Sequence, residues 1–149
     1  TGLAFTDVKQ LRSEHIVLDI NGARWIRKSR QKTQNMCNIP LLDEANEILS
    51  RYADNDYCQK RGVLLPVCSN QKMNLYLKEL ADVCGIRKHL STHTARHTFA
   101  TLTLASGAAI ENVAKMLGHS DTKMTRHYAR ILDTSIMRDM QLVAKNIAQ

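Results

Sequence analysis

The sequence predicts a mostly α domain of the α+β class, with a small antiparallel sheet of two or three strands near its N-terminus. Three observations carry this. The stretch HIVLDI, NG, ARWIRKS sets an Asn-Gly pair, the signature of a tight hairpin, between two β-rich runs. From Leu42 onward, apolar residues recur instead at three- and four-residue spacing, the period of a helix face. At 149 residues the chain is one domain's worth, long enough to bury a core without disulfides or metals.

Taken in order, TGLAFTDVKQL reads as the end of one helix turning through Gly2 into another. Thr6 or Asp7 is the expected cap, with Val8 and Leu11 facing inward. A chain that begins in mid-motif is expected to be a fragment of a longer protein. The hairpin follows, and NMCNIPL supplies a third strand, so the sheet should span roughly Ile16 to Ile39. Ala45, Ile48, Leu49 and Tyr52 mark the inner face of the next helix. Met73, Tyr76, Leu77, Leu80, Val83 and Cys84 mark another, which Ser69 or Asn70 caps and Gly85 ends.

Between those helices, DNDYCQKRGVLLPV reads as a loop with one short strand at Val63 to Leu65. TARHTFATLTLASG is apolar on several sides, which predicts a central buried helix. Ile110 to Leu117 forms a short helix stopped by Gly118, and DTKMTRHYARIL a further one. Asp133 or Thr134 caps a last helix, whose Ile136, Met140, Val143 and Ile147 make a narrow stripe able to dock on this chain or on a neighbour's. There is no internal repeat and no low-complexity segment.

Composition narrows the function classes. The four cysteines, Cys37, Cys58, Cys68 and Cys84, contain no C-x-x-C pair, so neither a zinc ribbon nor a redox motif is supported. They are expected as small buried apolar residues in a reducing compartment. No apolar run is long enough to span a bilayer, which predicts a soluble cytoplasmic protein without a membrane partner. A net charge of +7 and a pI near 9.4 favour a polyanionic partner. The basic cluster from Arg24 to Lys32 fits such a partner and fits a solvated hairpin equally well.

The stretch HTARH raises the chemical question, because a helix stacks His93, Arg96 and His97 on one face. A metal site, a set of satisfied core residues and a phosphate clamp are the three readings. The i, i+4 histidines have the spacing of helical zinc sites, but a zinc hydrolase's glutamate base is absent and a permanent cation sits between the supposed ligands. No metal or other cofactor is therefore expected. As a core residue, His97 is the one expected to hydrogen-bond to backbone. The phosphate reading gains from LGHSDTKMTRHY, which sets His119 just after Gly118 and Tyr128 nine residues later.

HTARHTFATLTLASG followed by VAKMLGHSDTKMTRHYARI resembles the catalytic domain of the tyrosine recombinases, or phage-type integrases. The likeness extends to the opening TGL, to Lys32 before Thr33 in a hairpin, and to the helix order, so it covers essentially the whole chain. It implies an enzyme that breaks and rejoins DNA strands as a site-specific recombinase or integrase of a mobile element. Carried over, Tyr128 is the nucleophile, Arg96 the second catalytic arginine, and His93 the histidine three residues before it. His119 is the histidine of the LGH motif and Lys32 the hairpin lysine. Duplex DNA, self-association as a tetramer on DNA and accessory DNA-binding proteins are the partners implied. Ala4 departs from the pattern, standing where the family has its first arginine.

The chemistry explains the residue types. Tyrosine forms a phosphoester that conserves bond energy, but with a pKa near 10 it needs its proton taken, for which His93 and nearby cations are candidates. Arg96 and His119 hold the charge on the nonbridging oxygens, and Lys32 gives the departing 5′ oxygen a proton. Arg30, two residues before Lys32, leaves a strand on the same face and is the expected partial substitute for the arginine absent at Ala4. Arg12 and Arg27 are weaker substitutes. His127 is expected to point away from Tyr128. A type IB topoisomerase shares this chemistry, and a silent DNA-binding domain of the same fold is the reading from another class.

Overall fold

A computed structural model describes residues 1–129 and 133–147. Helix α1, Phe5–Lys9, leads through a 3-10 turn, Ser13–His15, into an antiparallel sheet of β1 (Ile16–Leu18), β2 (Arg24–Ser29) and β3 (Met36–Pro40), ordered β1-β2-β3. Ile26 pairs with Ile39 and Lys28 with Cys37, which puts these four side chains on the inner face. Ile26, Cys37 and Ile39 meet Leu3, Leu11 and Leu41 there to form the main core. Full burial of each large aliphatic side chain contributes roughly 1.5–3 kcal/mol.

The helical part then runs α2 (Asp43–Arg51), α3 (Asp56–Arg61), α4 (Asn70–Val83), α5 (Thr92–Ala105), α6 (Ile110–Leu117), α7 (Thr122–Arg126) and α8 (Asp133–Ile147). The stretch α6 is apolar on one side, and its buried Val113, Ala114 and Leu117 pack it against β3, α5 and α7. Gly118 stops it as expected, with φ +63°. Among the described residues no helix is long and apolar enough to cross a membrane.

Several expectations are corrected. α1 is entered from Ala4 with no side-chain cap, because Asp7 is buried and turned to other partners. The first hairpin closes through a five-residue loop, 19–23, rather than a two-residue turn, since Leu18 pairs with Arg24. The Asp19 carboxylate organises that loop by accepting from the backbone of Asn21 and Ala23 and from the Trp25 indole. The expected loop between α2 and α4 holds a helix instead: Asn55 caps α3 by accepting from the Cys58 backbone, and left-handed Gly62 ends it. One core residue, Cys58, is too few to leave a periodic signal. Val63 to Leu65 forms no strand, although Leu64 donates one backbone bond to Leu11.

In α4, Ser69 is the cap and Ala81 is buried, while Tyr76, Leu80, Val83 and the terminal Cys84 stay exposed. The apolar sector is wider than the surface the rest of the chain covers. Cys37 and Cys58 are buried, but Cys68 is only partly so. α5 is not an all-round buried helix: only Arg96 and Ala100 are buried, and Leu102 is exposed. α7 is shorter than expected and ends before Tyr128. α8 leaves Ile136, Met140, Val143 and Ile147 largely exposed. The Asp133 and Thr134 side chains, its expected caps, lie outside the described residues.

Candidate active site

Arg96 is the one charged residue buried on α5, and two chain turns hold it there. Its Nη1 donates to the Gly2 carbonyl at 2.6 Å and its Nη2 to the Leu117 carbonyl at 2.5 Å. Gly2 has φ +64°, and a Cβ there would collide with the Phe99 ring, so only glycine brings this carbonyl in. Among the described residues no carboxylate forms an ion pair with Arg96. Burial, and then the neighbouring Arg30, lower its affinity for its proton, yet a guanidinium stays cationic. A buried cation held by neutral carbonyls favours an anion.

His119 stands beside it, with Nε2 3.4 Å from Arg96 Nη2 and Nδ1 2.8 Å from the hydroxyl of fully buried Thr125. Burial first, then the charges of Arg96 and Arg30, push its pKa down to about 4. The ring is therefore neutral at pH 7. With Arg96 donating to Nε2, the proton sits on Nδ1 and goes to Thr125. The Thr125 hydroxyl accepts or donates, so the ring can change tautomer and present an Nε2 proton to an arriving oxygen.

Arg30 reaches the same place from the second hairpin. A Cβ on Gly118 would lie 2.6 Å from Arg30 Cδ and 2.7 Å from Cys37 Sγ, so the arginine stem packs directly on that glycine. Arg30 Nε is buried without a hydrogen-bond partner, 3.8 Å from Asp7 Oδ2. Asp7 Oδ1 accepts from the Gln31 backbone at 3.0 Å, which ties α1 to the start of the hairpin turn. Burial raises the pKa of the Cys37 thiol, against the opposing charges of Arg96, Arg30 and Lys28.

Tyr128 follows the C-cap of α7 rather than lying on the helix. Its ring packs beside Ala100, Val113 and Leu117. His119 is stacked at 6.5 Å between centroids, His97 meets it edge-on at 4.9 Å, and His127 lies at 5.7 Å. His127 is exposed but not turned away, since its ring meets that of Tyr128 edge-on.

His97 also departs from expectation. Among the described residues its side chain makes no backbone bond; its Nε2 lies 2.5 Å from Nε2 of exposed His93. An i, i+4 pair on one helix face meets more readily than a side chain reaches carbonyls already used by the helix. Two zinc ligands with bonds of about 2.0–2.1 Å stand farther apart than this, and the spacing is that of a hydrogen bond between the two rings.

Arg96, His119, Arg30 and Tyr128 thus come together, and His93 joins through His97. Lys32 does not. It is exposed in the turn 30–35, which closes as the Arg30 N–H donates to the Asn35 carbonyl and the Arg30 carbonyl accepts from the Gln34 N–H. Strand β2 ends at Ser29, so Arg30 and Lys32 do not leave a strand on one face. Arg12 points toward Gly62, and Arg27 is exposed on the opposite face of β2 from Ile26. Asp7, Thr125 and Gly118 have structural roles at the site that sequence reasoning missed. A capping role hid Asp7, and a lone threonine carries no pattern.

The Phage integrase family matches over residues 1–135. Tyrosine recombinase XerD of Halalkalibacterium halodurans is 45% identical over 154 residues, covering 94% of this chain and 48% of that protein. XerD of Staphylococcus epidermidis is 29% identical over 152 residues, 93% of this chain and 49% of its own length. The chain spans about half the length of the curated relatives it matches. Among solved structures, that of XerA recombinase superposes with a TM-score of 0.66 at 25% identity, covering 97% of this chain and 54% of that one. The Tn1549 transposon integrase, in complex with a circular intermediate DNA, shares the fold with a TM-score of 0.69 at 20% identity, covering 95% and 55%. By its fold, its motifs and this match along nearly its whole length, the chain belongs to the phage integrase family of tyrosine recombinases.

Proposed function

We propose that this chain is the catalytic domain of a site-specific DNA recombinase or integrase that cuts and rejoins strands through a 3′-phosphotyrosyl intermediate. The observation that carries it is a buried guanidinium, Arg96, with neutral His119 and the Tyr128 ring gathered beside it. Tyr128 attacks the phosphorus while Arg96 and His119 hold the nonbridging oxygens, each such donor supplying a few kcal/mol of barrier reduction. Arg30 stands in for the arginine absent at Ala4, supported by its packing on Gly118 and its influence on Arg96. His93 takes the phenolic proton, and Lys32 swings in with its turn to protonate the leaving 5′ oxygen. No metal is needed for these steps.

Duplex DNA is the substrate, in keeping with the net positive charge and with the DNA-bound integrase of the same fold. The exposed stripe of α8 suits assembly into a tetramer on DNA, with accessory DNA-binding proteins setting the outcome. The setting is cytoplasmic. Ala4 favours one other reading, a silent DNA-binding domain of the same fold. A nicked suicide duplex decides: a covalent adduct that disappears in Tyr128→Phe supports the enzyme, and no adduct with intact binding supports the silent domain. Arg30→Ala should lose the adduct and keep DNA affinity; unchanged cleavage removes Arg30 from the mechanism.

A further inference from the structure

His97 is placed to act in the same reaction, an inference that rests on the proposed strand cleavage by Tyr128. Its ring lies between two groups of that chemistry. On one side its Nε2 is 2.5 Å from Nε2 of His93, with centroids 4.2 Å apart. On the other it meets the Tyr128 ring edge-on at 4.9 Å and 75°. We infer that His93 and His97 work as one proton acceptor for Tyr128, with His97 sharing the proton that His93 alone would have to hold.

The contact itself limits the protonation states. Two imidazole nitrogens this close hold one proton between them, so at least one Nε2 is bare and the pair carries at most a single positive charge. In the neutral pair, the ring that donates across the contact keeps a bare Nδ1. When His97 is the donating ring, that nitrogen belongs to the ring that meets Tyr128 edge-on. The groups facing His97 are His93 and Arg96 from its own helix, and His127 and Tyr128 from the segment after α7, with His119 behind the Tyr128 ring. Burial, and then the positive forms of His93, His127 and Arg96, all disfavour a charge on His97, which favours its base form.

The step balances. The Tyr128 O–H bond breaks and an O–P bond forms, while the bond from phosphorus to the 5′ oxygen breaks. The phenolic proton goes to the bare nitrogen of the pair, and the 5′ oxygen takes its proton from Lys32. Rejoining reverses each transfer. Nothing is oxidised or reduced.

The test uses the intact protein and a nicked suicide duplex, with single-turnover cleavage followed from roughly pH 5 to 8 in wild type, His97→Phe and His97→Asn. Phenylalanine keeps the edge-on contact without a nitrogen. Asparagine keeps a hydrogen bond to His93 but cannot take a proton, and it carries the test if the first variant folds poorly. Both should bind duplex with wild-type affinity, cleave at least about tenfold more slowly near neutrality, and change the acid limb of the pH profile. A duplex with sulfur in place of the 5′ bridging oxygen, whose thiolate leaves without a proton, should rescue Lys32→Ala and not His97→Phe. Rates within twofold of wild type, or the same loss at every pH, would overturn the inference. A wild-type protein that forms no adduct defeats the proposed function itself, whereas a normal adduct with indifferent His97 variants defeats only this step.

Discussion

Removing the Asp7 carboxylate should unfasten the second hairpin from the rest of the site. Asp7 is 1% exposed, and its two oxygens do different jobs. Oδ1 takes the Gln31 backbone proton at 3.0 Å, a bond to a charged acceptor that contributes about 1.5–3 kcal/mol. Oδ2 faces Arg30 Nε at 3.8 Å, a gross attraction of about 4 kcal/mol at an effective dielectric of 20, most of it offset by desolvation of both ions. Asp7→Ala strands one backbone donor and one largely buried cation, for a net cost of about 3 kcal/mol. At 149 residues that lowers Tm by roughly 6–12 °C. Asp7→Asn keeps an acceptor for Gln31 and should lose about half as much. Because Arg30 and Lys32 both lie on the released turn, adduct formation should fall by more than duplex binding does. Thermal unfolding, a binding titration and the suicide duplex together read this out. An Asp7→Ala protein that melts within a degree of wild type and cleaves normally would refute the anchoring role.

Gly118→Ala should harm both stability and cleavage. The left-handed backbone alone costs an alanine about 1–2 kcal/mol, and the new methyl displaces the Arg30 stem and Cys37 Sγ. Adding Cys37→Ala should recover part of the melting temperature but little of the cleavage; a neutral Gly118→Ala would contradict the packing of Arg30 described above. For His119 the sign is set by a pKa of about 4 in the folded chain against 6.5 when free. Between those values the unfolded chain takes a proton that the folded ring refuses, so stability is full above pH 6.5 and falls as pH drops toward 4. At 1.36 kcal/mol per pH unit the limit is about 3 kcal/mol, and solvent screening of this part-exposed ring reduces it to about 1–2 kcal/mol. Denaturant unfolding between roughly pH 4 and 7 should show the slope in wild type and a weaker one in His119→Gln; identical slopes would remove His119 as the cause.

Much of the fold was legible in local pattern. The three strands, the Ser69 cap and the stop at Gly118 each follow from a few neighbouring residues whose backbone preferences agree. Helix α3 was not, because a six-residue helix with one core contact shows no period. Helix α4 was half legible: its apolar sector was visible, but how much of that sector is covered depends on what packs against it.

By itself the sequence determined the family to which the chain belongs, since a tyrosine, an arginine and histidines at motif spacing need no coordinates to be recognised. Only the tertiary structure decided how they are held. Gly2 and Leu117 pin Arg96 from positions 94 and 21 residues away, Asp7 grips a turn 24 residues on, and Thr125 holds the Nδ1 side of His119. Contacts between segments far apart along the chain leave no periodicity, and burial, which moves the proton affinities of His119 and His97, exists only once those segments have closed around them.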